Sequence, residues 1–226
     1  EIPKDYNRER LRAFIQQAMA SGGAELANAQ SIFRSLCEAI VVPAPALKKP
    51  HGENPYIFEE DVKEGDAARR IDVYRRGHFV FEAKQGVDAS TGAAASSPRP
   101  AKIKAGHSRS VRGAGVRGTS HWLDAMRSGR HQAGKYAVHV TKRGDPKPPF
   151  IIVADVGYCF WIWSSFTSDA KDDYGAFEPG AVFRWDSLER PEVVHLLRQI
   201  WLDPEALNED VLGQRGSDNL RHGQLL

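Results

Sequence analysis

The sequence predicts an α/β domain, a mixed central sheet flanked by helices and built in the order helix, three strands, helix, strand. Three observations carry this prediction. NAQSIFRSLCEAIVV places Ile32, Phe33, Leu36, Cys37 and Ile40 at helical spacing, and Pro43 and Pro45 end the run. RIDVYRRGHFVFEAK holds two alternating runs joined at Arg76 and Gly77, the pattern of a β-hairpin packed through one face. PPFIIVADVG is a continuous apolar run of the buried-strand type.

The remaining elements follow in order. YIFEEDV reads as the strand before the hairpin, so that three strands meander antiparallel. SHWLDAMRSGRHQAGKYAVHV reads as the second helix, with Ser120 as its N-cap and Gly129 as a candidate break. CFWIWSSF is a further strand, AVFRWDS a short edge strand or hairpin partner, and LERPEVVHLLRQIWL an amphipathic terminal helix. The chain contains no internal repeat.

Composition excludes several classes. With 226 residues and 41% hydrophobic content the chain can bury a core of its own. No apolar run approaches the ~18 residues of a membrane span, and EIPKDYNRERLRAF lacks the layout of a signal peptide. Cys37 and Cys159 show no metal-type spacing and read as core thiols of a reducing, cytoplasmic protein. The eight histidines are scattered, without zinc-site spacing, and GAGVRG lacks the strand and helix of a dinucleotide fingerprint. Trp161 and Trp163 alternate with Phe160 and Ile162, a pattern of sheet packing more than of a base-stacking platform.

Charge is unevenly spread. Between Asp88 and Asp124 there is no acidic residue, while Arg99, Lys102, Lys104, Arg109, Arg112 and Arg117 are all present, and the rest of the chain carries 25 basic against 29 acidic residues. The same stretch is rich in Gly, Ala, Ser and Pro and has no hydrophobic period, so a mobile basic loop is expected at 87–118. Such a loop suits a polyanionic substrate, whose phosphates supply most non-specific affinity.

The chemistry concentrates in the hairpin. Strand parity puts Ile71, Val73, Phe79 and Phe81 on the core face and Asp72, Val80, Glu82 and Lys84 on the other. Two carboxylates crowded together repel unless a cation lies between them, and oxygen-only ligation favours Mg²⁺ or Mn²⁺ over zinc. Glu59 and Glu60 alternate faces on the first strand and read as edge solvation.

With Asp72 followed by Glu82-Ala83-Lys84 at the end of the third strand, the αβββαβ order resembles the PD-(D/E)XK nuclease superfamily. More narrowly, AQSIFRSLCEAIVVPAP, YIFEEDV, RIDVYRRGHFVFEAKQG, GTSHWLDAMRSGRHQAGKYA and PPFIIVADVG are similar to the amino-terminal endonuclease region of MmeI-like type II restriction enzymes, from about Asn28 to Leu202. The resemblance implies a Mg²⁺-dependent endonuclease cutting double-stranded DNA, with Asp72, Glu82 and the Ala83 carbonyl as metal ligands and Lys84 acting on the attacking water. Glu25 would add a third carboxylate from the helical side. Gln132 and Tyr136 match a Q-x-x-x-Y pattern of some superfamily branches and, at i and i+4, share a helix face bordering the site. Ile71 stands where many superfamily members have proline.

In that family a helical connector, an adenine methyltransferase using S-adenosylmethionine and a target-recognition domain follow in the same polypeptide. This chain carries no N-P-P-Y and no glycine-rich S-adenosylmethionine loop. It is therefore expected to be an excised domain or a natural truncation, divided into a helical arm at 1–27, the nuclease-like domain at 28–204 and a polar tail or connector start at 205–226. Dimerisation on DNA is a further expectation from the resemblance. Two other readings stand beside it: a nuclease fold used only to bind DNA or regulate, and a stand-alone nuclease without a methylase.

Overall fold

The computed structural model describes residues 6–20, 25–49, 53–64, 67–88, 115–177 and 181–208. Two helices, α1 (Arg8–Ala20) and α2 (Glu25–Ala39), precede three strands, β1 (Tyr56–Glu64), β2 (Ala67–Arg75) and β3 (Phe79–Lys84). Helix α3 (Ser120–Lys142) leads to β4 (Phe150–Asp155) and β5 (Cys159–Ser164), followed by the short β6 (Gly175–Ala176) and β7 (Val182–Arg184). A 3₁₀ turn at Trp185–Glu189, helix α4 (Pro191–Leu202) and a 3₁₀ turn at Pro204–Leu207 close the described chain.

Among the described residues the strands form one sheet in the order β1-β2-β3-β4-β5-β6, with β7 also pairing β5. β1, β2 and β3 meander antiparallel, β3 and β4 are parallel, and β5 runs antiparallel to β4. The single parallel pair follows from α3, which crosses over between β3 and β4 and packs on both. The expected α/β architecture, a mixed sheet flanked by helices, is the one observed. The β2–β3 turn falls at Arg76 and Gly77, where Gly77 takes the left-handed φ of +68° that a tight turn needs.

Both faces of the sheet are covered. One carries Phe79, Phe81, Phe150 and Phe160 against Leu11 and Phe14 of α1, Phe33 and Leu36 of α2, and Leu197 and Trp201 of α4. Rings interlock there, with Phe33 edge-on to Phe81 at 4.9 Å and Phe79 against Trp201 at 4.5 Å. Each such side chain contributes about 1.5–3 kcal/mol by burial. Trp201 Nε1 donates to Tyr56 Oη at 3.0 Å, so the polar end of the indole is satisfied inside the core. Burial pushes the Cys37 thiol up to about 11 and that of Cys159 to about 12, as fits core thiols.

The second face, left off the hairpin's packed side in the reading of strand parity, is covered by the crossover helix. Val80, Ile151 and Val153 lie buried there beneath Met126, Ala133 and Ala137 of α3. The parity of Val80, Glu82 and Lys84 is as read from the sequence, but a helix covers that face. Ile71 is the exception to strand parity, since it packs in this second cluster while Val73 packs in the first. This break in alternation lies beside a distorted position of β1: Glu59 has φ +52° and sits between the pairs Phe58↔Val73 and Glu60↔Ile71, opposite Asp72.

Helix α3 departs from its expected form in two details. Its N-cap is Thr119, not Ser120, for the Thr119 hydroxyl accepts from Trp122 N and donates to Val116 O at 2.6 Å. It is also continuous through Gly129, its last turn reaching Lys142. AVFRWDS resolves into β7, paired with β5 from Cys159↔Arg184 to Trp161↔Val182, and the start of the 3₁₀ turn. Among the described residues no helix is long and apolar enough to cross a membrane.

Candidate active site

The site forms where β2 and β3 part. Their ladder pairs Arg75↔Phe79, Tyr74↔Val80 and Val73↔Phe81 and stops there. In the next row Asp72 Oδ2 accepts from the backbone N–H of Ala83 at 2.7 Å, so a side chain replaces the ladder bond and the two strands fork. Glu82 projects from the same row toward α3.

Glu82 is 1% exposed. Its Oε1 accepts from Gln132 Nε2 at 2.7 Å, and its Oε2 lies 3.6 Å from Lys84 Nζ. Gln132 Nε2 also donates to Tyr136 Oη at 2.7 Å, so the i, i+4 pair on α3 that the sequence singled out reaches the Glu82 carboxylate as a unit. Burial above all, and the negative charge of Asp72, hold the Glu82 carboxyl well above the usual carboxylate range, against the opposing pull of Lys84. Asp72, Glu82, Ala83, Lys84, Gln132 and Tyr136 are thus brought together.

The remaining expected residues fall elsewhere. Glu25 opens α2, but its side chain lies outside the described residues. Arg99, Lys102, Lys104, Arg109 and Arg112 also lie outside them, as does the tail beyond Asn208. Arg117, expected in a mobile basic loop facing DNA, is instead folded inward. Its Nε donates to Asp155 Oδ2 at 3.0 Å and its Nη2 to Asp155 Oδ1 at 2.9 Å, while the guanidinium lies 4.6 Å from the centroid of Tyr158. A fully buried carboxylate demands such a partner, and that demand takes Arg117 away from solvent.

Asp155 itself is a residue that sequence reasoning missed. It ends β4 in register with Lys84, is 0% exposed, and also accepts from Gly86 N at 3.0 Å and from Trp122 Nε1 at 2.7 Å. Val156 N donates to Lys84 O at 3.1 Å, so the backbone from Lys84 to Gly86 is pinned to the β4 terminus. Its sequence signal was a lone acid closing a continuous apolar run, a position where a charge survives only if paired.

Among the described residues no three His, Cys, Asp or Glu side chains gather into a group that could hold a metal. The Asp72 and Glu82 pair nevertheless fits a hard divalent cation by donor chemistry. Mg²⁺ is commonly held by one or two carboxylates, with water completing its shell. A buried carboxyl raised by an adjacent carboxylate is also the electrostatic situation that a cation relieves.

A mixed sheet crossed by one helix, with two acids, a lysine and a glutamine converging at a strand fork, defines an α/β domain with a compact polar centre in an otherwise apolar body. The family described as "MmeI, N-terminal domain" matches residues 7–210, and the chain belongs to that family, a domain of restriction-modification enzymes. Neither curated proteins nor solved structures yielded a match.

Proposed function

We propose that this domain is a Mg²⁺-dependent DNA endonuclease of the PD-(D/E)XK type, hydrolysing phosphodiester bonds in double-stranded DNA for a restriction-modification polypeptide. The observation that carries the reading is the convergence of Asp72 with buried Glu82 at the strand fork, with the Lys84 ammonium 3.6 Å from the Glu82 carboxylate. Asp72 and Glu82 would hold the cation. A strand residue directs its N–H and C=O to the same edge, so the Ala83 carbonyl faces the Asp72 side and suits a third oxygen ligand. Bound there, Mg²⁺ supplies Lewis-acid polarisation of a phosphate oxygen and acidifies a water.

The chain's own groups do the rest. Gln132 fixes Glu82 through Oε1 and leaves Oε2 toward Lys84. Lys84 orients the attacking water, takes part in its deprotonation and offsets charge developing on the phosphate. The basic residues Arg99, Lys102, Lys104, Arg109 and Arg112 supply phosphate contacts. Methylation with S-adenosylmethionine and target choice belong to domains in cis, and paired cuts call for two protomers on the duplex.

Nicking of supercoiled plasmid in Mg²⁺ or Mn²⁺ tests the proposal. Asp72→Ala, Glu82→Ala and Lys84→Ala each lower the rate by about 10²-fold or more while Asp72→Ala keeps DNA affinity. Nicking by Asp72→Ala at the wild-type rate would contradict it.

A further inference from the structure

We propose that Gly129 is a positioning residue for Lys84, a notch in α3 through which the lysine stem passes to reach Glu82. A Cβ built on Gly129 would stand 2.7 Å from Lys84 Cε and 3.6 Å from its Cγ, with Val153 Cγ1 at 3.0 Å. The lysine therefore runs against bare helix backbone at this position. Gly129 is buried within a helix of 23 residues, where glycine is disfavoured by about 1 kcal/mol relative to alanine. Its φ lies outside the left-handed range, so neither turn nor cap requires glycine here. The remaining reason for its presence is the space that it leaves.

The space has a defined use. Gly129, Gln132 and Tyr136 stand at i, i+3 and i+7 on α3 and form one strip over β3. Gln132 grips Glu82 Oε1, and Gly129 admits the stem that brings Lys84 Nζ to within 3.6 Å of Glu82 Oε2. An alanine at 129 meets first the far part of a flexible lysine, which swings aside at small energetic cost, and then Val153 Cγ1, which has only to give by a few tenths of an ångström. The consequence of filling the notch is thus displacement of the ammonium more than loss of the fold. Its bearing on cleavage rests on the proposed nuclease activity, whereas the contact itself does not.

Gly134 supplies a control on the same helix. A Cβ there would meet the Asp172 carboxylate and Arg130 Nη1, themselves hydrogen-bonded at 3.0 Å, and no atom of Lys84 is among its three nearest neighbours.

The test is competitive acetylation of the intact protein with trace acetic anhydride at one fixed pH, with Lys84 read by mass spectrometry against the exposed Lys142 and Lys171. Wild type is expected to label Lys84 weakly. Gly129→Ala raises that labelling several-fold, while Gly134→Ala leaves it unchanged. Thermal unfolding gives a second reading: in a Lys84→Ala background, where the closer contact is gone, Gly129→Ala raises Tm by about 3 °C more than in wild type. Unchanged Lys84 labelling in Gly129→Ala, or equal effects on Tm in the two backgrounds, would overturn the proposal. Labelling needs neither metal nor DNA, so a chain that nicks nothing under any condition removes the nuclease reading and leaves this one standing.

Discussion

Glu82 is the residue on which the site's electrostatics turn. Its carboxyl is raised by burial and by Asp72, so folding favours its protonated form. The group carries no penalty below its ordinary value, and the penalty grows as pH rises from there toward the raised value, because the folded chain binds the proton more tightly than the unfolded one. In EDTA at neutral pH, Glu82→Gln is therefore expected to raise stability, with the difference from wild type vanishing in acid, as measured by urea denaturation across pH. A variant that is more stable yet inactive would separate the carboxylate's chemical task from folding. Asp155 makes the opposite case. Its charge is fully buried and held by Arg117, so Arg117→Ala strands it and should cost about 3 kcal/mol, with the bonds from Trp122 and Gly86 preventing a larger loss.

At the scale of elements, α3 and the β2–β3 fork make the site together. α3 begins at Thr119, whose hydroxyl both accepts from Trp122 N and donates to Val116 O. Thr119→Ala should destabilise by about 1 kcal/mol whereas Ser120→Ala stays within about 0.5 kcal/mol, a contrast that denaturant titration of both variants checks. The sequence places the cap one residue late because serine and threonine stand side by side, and which hydroxyl turns to the helix depends on the chain entering from Val116. Asp72, Glu82 and Lys84 were legible because strand parity alone puts i and i+2 on one face and a tight turn at Gly77 fixes the register. Gln132 and Tyr136 were legible through helical spacing. The partnership of Arg117 with Asp155 was not, since it joins the end of a long connection to a strand that pairs only after the α3 crossover.

At the scale of the molecule, two cores on opposite faces of one sheet explain both what the sequence discloses and what it hides. The core of α1, α2 and α4 is announced by helical periodicity and by Phe79 and Phe81. The core under α3 is hidden, because Val80 alternates with those residues as a solvent-facing strand position would, and only the crossover helix turns that face inward. Ile71 is hidden for a different reason: it packs on the face opposite to Val73, beside the distorted backbone of Glu59, so the alternation on which any period-based reading depends does not hold there. Family membership over residues 7–210 gives this architecture its restriction-modification setting. The central claim, that the fork is a metal-dependent catalytic centre, is tested most directly by calorimetric titration of Mn²⁺ into wild type and the Asp72→Ala, Glu82→Ala and Lys84→Ala variants. Binding is expected to be lost with either acid and retained without Lys84; no binding by wild type even with duplex DNA present, or binding indifferent to both acids, would rule out a metal centre at the fork.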